Sequence, residues 1–412
     1  MKRVYLFSPI PYSFLHQRPQ KLADQFVAQS IGVTFIEPCG LSEYIAGRKS
    51  GVIPLFFLSA WFQLLGLAAL LFPFFSRKPR PREARPRPEG IEIVSMPIVI
   101  PGNRVNSPFV ERLNASIYRQ VLRTRVFRCM DPRETSIAIV QNPFWGLVLQ
   151  KNDFSRITYD CIDEISLFAG RGSVARYQIY EGRLLAMADA IFVTAEKLEG
   201  SLRAKRPAGP LVRVPNGVDF DFFQERAREG SIPAELGSVP RPVIGYVGVL
   251  RDWFDYALVG AVARAMPEAT FVMVGPLDFT SRIEALKGMS NLLWVGRKEY
   301  QDMPCYIDAF DVCIIPFLES KVSETTNPVK IFEYFALGKP VVATPMHELL
   351  PFERDELLTI ASGESAFLDG IRAALAEGES PIAERRREVA RSHSWSVLAT
   401  KMLETAFPDQ KR

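Results

Sequence analysis

The chain has 412 residues, too many for one ordinary core, and its length predicts two domains of about 200 residues each. Its 50 Lys+Arg nearly balance 46 Asp+Glu, and the short run Arg77–Arg87, with six basic residues and one acid, by itself exceeds the net charge of +4. Basicity this local argues against a nucleic-acid partner, and five cysteines without paired metal-ligand spacing read as reduced, mostly core thiols of a cytoplasmic protein.

The opening MKRVYLFSPIPYS has too few apolar residues after its basic pair for a signal peptide, so Val4–Ser8 is read as a first strand and no secretion is expected. Helix-like and strand-like runs then alternate: Arg18–Gln29, Val33–Glu37, Ile91–Val99, Pro108–Arg128, Ser136–Gln141, Ile157–Asp160, Val174–Ala188, Ala190–Thr194 and Val212–Pro215. One stretch interrupts them. Val52–Phe75 is 24 residues without a charge, flanked by Arg48–Lys49 and by the basic run Arg77–Arg87. It is long enough to span a membrane, yet the strands on either side belong to one sheet, which excludes a single crossing. Pro54, Gly66 and Pro73 suit a bent or surface-lying element, with the basic flank attracting anionic lipid; the other reading is a buried helix of the first domain.

A polar segment with Gly230, Pro233 and Pro240 follows, and the alternation resumes with Val243–Val249, Tyr256–Met266, Thr270–Val274, Leu292–Val295, Met303–Phe310, Val312–Pro316 and Val341–Thr344. Beyond Glu364 the pattern is helical, with Trp395–Ala406 apolar on one face. Such alternation predicts an α/β chain of two Rossmann-like domains with C-terminal helices. The boundaries are read as a first domain at 1–225 carrying an insertion at 48–88, a linker at 226–242, a second domain at 243–390, and a C-terminal helix at 391–412 that packs back towards the first domain.

The stretch TTNPVKIFEYFALGKPVV, Thr325 to Val342, reads as a helix between two strands. Asn327 suits the N-cap and Pro328 the first helical position; Val329, Phe332, Phe335 and Ala336 form a buried stripe, and Gly338 with Pro340 ends the helix. Lys330 and Glu333 share another face. A cation in the first turn opposes the helix dipole by a few tenths to ~1 kcal/mol unless an anion sits there too. Either a phosphate binds at this helix start, or the two residues form a solvated pair.

GYVGVL at 245–250, MVGP at 273–276, the Asp311-VCIIPF strand and NPVKIFEYFALGKPVVAT, preceded by HQRPQKLADQF (16–26), YDCIDE (159–164), ADAIFVTAEKL (188–198) and PNGVD (215–219), together resemble the glycosyltransferases of the GT-B fold. Within that fold they resemble most the bacterial retaining group that includes teichuronic-acid-type sugar transferases. The resemblance implies two domains facing across a cleft, a nucleotide-sugar donor on the second and an acceptor on the first. It makes Glu333 the ribose-binding carboxylate and gives the diphosphate to Lys330 and the amides near Thr326–Asn327, with Thr325, Gly248 and Arg297 also on the donor side. Arg251 is expected to share the phosphate clamp with Lys330. Asp160, Asp163, Glu164 and Asn216 are assigned to the acceptor side, with Asp163 and His16 counted with Lys330 and Arg251 as catalytic candidates; as alternatives, the carboxylates are helix caps, His16 is structural, and Asn216 makes a plain turn.

The pattern also departs from the commoner one. Many relatives carry two glutamates eight positions apart; the first falls here on Thr325, with Glu324 one residue off register, and Val249 follows Gly248 where a cation is usual. The expectation is a metal-independent transferase without cofactor, acting on a lipid-linked or cell-surface polysaccharide acceptor at the inner face of the cell membrane. A nucleotide-sugar epimerase of the same fold and a non-catalytic nucleotide-sugar binder are the rivals.

Overall fold

The computed structural model describes residues 2–13, 16–38, 89–97, 107–164, 174–206, 208–278, 281–378 and 380–408. The apolar segment Val52–Phe75 and the basic run Arg77–Arg87 lie outside the described residues. The chain forms two compact units, one of Met1–Val193, Ser201–Val212 and Met402–Arg412, the other of Thr194–Gly200 and Arg213–Lys401.

The first half runs β1 (Lys2–Phe7), α1 (Arg18–Ala28), β2 (Gly32–Glu37), β3 (Ile91–Ser95), α2 (Pro108–Arg125), β4 (Thr135–Val140), β5 (Arg156–Cys161), α3 (Val174–Met187), β6 (Ala190–Val193), α4 (Glu196–Lys205) and β7 (Leu211–Arg213). These strands form one seven-stranded sheet in the order β3-β2-β1-β4-β5-β6-β7. The pairs β1–β2, β1–β4, β2–β3, β4–β5 and β5–β6 are parallel. Ile137, Ala138, Ile139 and Val140 are fully buried, as a strand covered on both faces requires.

The second half continues with α5 (Phe220–Arg228), β8 (Val243–Val247), α6 (Tyr256–Ala265), β9 (Thr270–Val274), β10 (Leu292–Gly296), α7 (Met303–Asp308), β11 (Val312–Ile315), α8 (Lys321–Thr325) and α9 (Val329–Ala336). It closes with β12 (Val341–Ala343), α10 (Leu350–Arg354), β13 (Thr359–Ile360), α11 (Glu364–Ala376), α12 (Pro381–Ser392) and α13 (Trp395–Ala406). Six strands form a parallel sheet in the order β10-β9-β8-β11-β12-β13. Phe220 and Phe223 of α5 and Leu236 join its core. Chain order reverses between β8 and β11, so the loops leaving the C-terminal ends of these two strands flank the position where open α/β sheets bind ligands.

The expected two-sheet α/β architecture is present. One local expectation is corrected. Pro328, not Asn327, occupies the N-cap of α9, with φ −75° and ψ 113° and no side-chain hydrogen bond, and the helix starts at Val329. Asn327 does not cap because its oxygens are engaged by a residue 111 positions earlier in the chain. Ile331, Phe332, Tyr334, Phe335 and Ala336 are the buried residues of this helix, while Val329 is only partly buried.

Candidate functional site

The loops after β8 and β9 cross at two glycines. Gly248 has φ +148° and Gly275 φ +150°, a region that side chains rarely enter. A Cβ on Gly275 would lie 1.9 Å from the Gly248 carbonyl oxygen, and one on Gly248 would lie 2.7 Å from the Tyr246 hydroxyl. The Gly248 N–H donates to the Val274 carbonyl at 2.9 Å, and the Tyr246 hydroxyl to the Val249 carbonyl at 3.2 Å. A flat, glycine-only backbone surface results at the end of β8.

Helix α9 is tied to the same strand end. The Tyr334 hydroxyl accepts from the Val247 N–H at 2.9 Å, which sets the register of the helix against β8. Lys330, in the first turn, then lies beside Gly248, whose Cβ would meet Lys330 Cε at 3.3 Å. The Lys330 ammonium sits 4.6 Å from the ring centroid of Phe317 and 5.4 Å from that of Tyr246. Among the described residues it has no hydrogen-bond or ion-pair partner. Burial draws its pKa down from 10.5 to about 8, against the opposing charge of Glu333 one turn along. A partly buried ammonium at an uncapped helix start can receive an anion.

The other donor-side candidates fall at varied places. Glu333 is partly buried on the same helix as Lys330. The hydroxyls of Thr325 and Thr326 donate back to the Val322 carbonyl at 3.3 and 2.7 Å, which occupies their protons within and just after α8. Arg251 stacks on Trp253, 4.5 Å from ring centroid to guanidinium carbon, with Nε 3.5 Å from Asp278 Oδ1. Its charge is therefore shared with a carboxylate of the neighbouring loop. Arg297, just past β10, is exposed. Asn216, read with the acceptor side, lies in the second unit, with its N–H and Nδ2 both donating to Asn327 at 2.9 and 2.8 Å. Tyr246, Phe317, Trp253 and Asp278 escaped the sequence reading. Aromatic residues bordering a glycine turn or ending a strand were the available signal, but nothing local tells a ring under a cation from a core ring.

In the first unit the carboxylates at and after the end of β5 divide into two environments. Asp160 is fully buried and accepts from Arg18 Nε at 2.9 Å, Arg18 Nη2 at 2.8 Å and Gln141 Nε2 at 2.9 Å. This bidentate pair fastens the start of α1 to β5, so the Asp160 carboxylate is taken up inside the unit. Asp163 is partly buried, and desolvation pushes its pKa up from 3.8 to about 6, with Arg18 acting against the rise. Glu164 beside it is partly buried. His16 Nδ1 lies 3.9 Å from Asp24 Oδ2, and its ring packs edge-on to Tyr12. Sequence reasoning quoted Arg18 within HQRP but gave it no role.

Comparisons with known proteins bear on both units. Residues 241–377 match the model of the family described as "Glycosyl transferases group 1". The chain is 26% identical over 273 residues to the "Putative teichuronic acid biosynthesis glycosyltransferase TuaH" of Bacillus subtilis (strain 168), covering 62% of this chain and 68% of that protein. Among solved structures it superposes on a sucrose-phosphate synthase from Thermosynechococcus elongatus with a TM-score of 0.69, at 14% identity, over 98% of this chain and 97% of the other. It also superposes on HepE of Anabaena in complex with UDP and glucose, with a TM-score of 0.58 at 13% identity over 98% and 99% of the two chains. At such identities these two likenesses speak for the fold.

Proposed function

We propose that this chain, which has the GT-B fold and matches the group 1 glycosyl transferase model over residues 241–377, is a glycosyltransferase that moves a sugar from a nucleoside-diphosphate donor to a lipid-linked or cell-surface polysaccharide acceptor, with retention and without a metal. The observation that carries the donor half is the Lys330 ammonium, held on two aromatic faces at the uncapped start of α9 with no ion-pair partner among the described residues. The diphosphate binds there, and Glu333, one turn along, accepts from the ribose hydroxyls. As the bond between the anomeric carbon and the phosphate oxygen breaks, negative charge grows on that oxygen. Lys330 and the first amides of α9 are in place before the reaction and stabilise this charge as it forms.

On the acceptor side Asp163, desolvated after β5, orients the incoming hydroxyl, and the departing phosphate takes its proton. Arg18, Asp160 and Gln141 hold the backbone from which Asp163 projects. Val52–Phe75 and Arg77–Arg87 provide the apolar and cationic signals that stable peripheral membrane binding requires, and bring the enzyme to a lipid-linked acceptor on the inner face of the membrane. The matches to transferases favour this reading over an epimerase.

Thermal shift with UDP, GDP, dTDP and CMP tests the donor site, because a ligand at 100 times its dissociation constant adds ~2.7 kcal/mol of stability. At least one nucleoside diphosphate should raise the midpoint of wild type, and raise that of Lys330→Ala much less. Equal shifts in both proteins would remove Lys330 from the site.

A further inference from the structure

The start of α9 is left uncapped by a contact made from another part of the second unit. Asparagine is among the residues best suited to cap a helix. Asn327 nevertheless accepts the Asn216 main-chain N–H on its Oδ1 at 2.9 Å and the Asn216 Nδ2 on its carbonyl at 2.8 Å. The orientation of the Asn216 amide follows from chemistry: turned over, it would set Oδ1 against the Asn327 carbonyl, acceptor to acceptor. Held this way, Asn216 Oδ1 is buried with no partner among the described residues, an unfavourable placement that the clasp maintains.

Asn216 is itself held from behind. A Cβ on Gly217 would lie 2.4 Å from the His393 carbonyl oxygen, so the turn can approach that carbonyl only as glycine. The Val218 N–H donates to the same carbonyl at 3.1 Å, and the Trp395 N–H donates to the Val218 carbonyl at 3.1 Å. On the other side of the clasp, Pro328 occupies the N-cap, with no N–H of its own and no side-chain bond to the helix. Among the described residues the first amides of α9 are thus left without a side-chain acceptor, next to the Lys330 ammonium.

We propose that Asn216 is a positioning residue for the donor: by holding Asn327 away from α9 it keeps the first amides of that helix available to an oxygen of the nucleotide diphosphate. This rests on the diphosphate reading given above. Removing the Asn216 side chain takes away the bond to the Asn327 carbonyl and leaves Asn327 held by the single main-chain N–H on its Oδ1. Asn327 is then freer to turn that oxygen towards α9, as asparagine does before a helix, where it competes with the phosphate for the same N–H groups.

The test is calorimetric titration of the full chain with UDP, GDP and dTDP, taking forward the one that binds wild type most tightly. Asn216→Ala should weaken it about tenfold, the scale of one capping interaction. Asn216→Ala combined with Asn327→Ala, which cannot cap, should recover most of that loss. A residue that only packs would leave the double variant as weak as the single one or weaker. Asn216→Asp keeps the shape and the main-chain bond but turns the Nδ2 donor into an acceptor; it serves if the alanine variant fails to fold, with rescue again expected on adding Asn327→Ala. Unchanged affinity in the Asn216 variants, or no rescue, overturns the proposal while leaving the diphosphate site standing. If none of the three nucleotides binds wild type, the diphosphate reading fails and takes this inference with it.

Discussion

A lysine resting on two rings keeps its charge by a weak attraction, of about 0.5–2 kcal/mol per ring, where a carboxylate would have held it far more firmly. Its depressed pKa therefore carries a pH signature. With its pKa drawn down to about 8, Lys330 should lose its proton in the free protein as pH rises through that value, and the proposed diphosphate would bind the protonated form. Affinity should be level up to about pH 7, fall above 8, and be accompanied by proton uptake measurable in buffers of different ionisation enthalpy. Lys330→Arg should abolish the fall, and Lys330→Ala should cost tenfold to a hundredfold in affinity, from ~1.5–3 kcal/mol for a charged hydrogen bond. A pH profile unchanged in Lys330→Arg would assign the titration elsewhere. The pKa of Asp163 is displaced in the opposite direction. Its folded pKa of about 6 lies above the usual carboxyl value, so its favourable contribution is present at low pH and is lost as pH rises through 6. Asp163→Asn should raise stability at pH 7.5 by roughly 1–3 kcal/mol and by only about a third as much at pH 4.5, while lowering turnover if the carboxylate orients the acceptor. Calorimetric scans at the two pH values decide this; a loss of stability at pH 7.5 would mean that the charged form is held by contacts rather than tolerated.

Two glycine turns and one short helix meet at the end of β8. The turn after β8 and the turn after β9 are in contact through backbone alone, so neither can change without the other. Gly275→Ala combines a forbidden φ with a Cβ placed 1.9 Å from a carbonyl oxygen that cannot rotate away. It should cost more than about 2 kcal/mol in a denaturant titration and weaken nucleotide binding together with stability, since the Gly248 turn must shift. An alanine variant as stable as wild type would show that the crossing relaxes freely. The glycines, the helix and Lys330 were legible because each leaves a local trace: GYVG and MVGP after apolar runs, and an NPVK start followed by apolar residues at helical spacing. The cap was not. Asn327 and Pro328 carry the local signature of an N-terminus, and a partner 111 residues away overrides it.

On the scale of the whole molecule, two doubly wound sheets each offer strand ends to a ligand, and the sequence between β2 and β3 carries the uncharged stretch Val52–Phe75. Excising Val52–Phe75 with a short Gly-Ser bridge should leave nucleotide affinity nearly unchanged, because Lys330, Gly248 and Glu333 belong to the second unit. Activity on a lipid-embedded acceptor should fall much further than activity on a soluble analogue. Flotation of the intact protein with anionic liposomes at low and high salt tests the premise, and protein left at the bottom of both gradients would make the segment part of a core. Transfer should also persist in EDTA, since in the proposed reaction Lys330 and the helix amides supply the positive charge at the leaving group. Turnover lost on chelation and restored by magnesium or manganese would contradict that.

By itself the sequence determined the alternation of strands and helices, the two parallel sheets that follow from it, the glycine turns, and Lys330 with Glu333 on one face of a helix. These rest on periodicity and backbone preference, which act within a few residues and so are written locally. Only the tertiary structure decided what surrounds each candidate. It placed Tyr246 and Phe317 beneath Lys330, set Asp278 beside Arg251, buried Asp160 against Arg18 and Gln141, and moved Asn216 to the start of α9. Each of these depends on residues brought together by packing across long separations in the chain, 142 residues for Arg18 and Asp160. Burial and partner then decide whether a carboxylate is a fastening or a reactive group, because desolvation and pairing act on its charge with opposite sign.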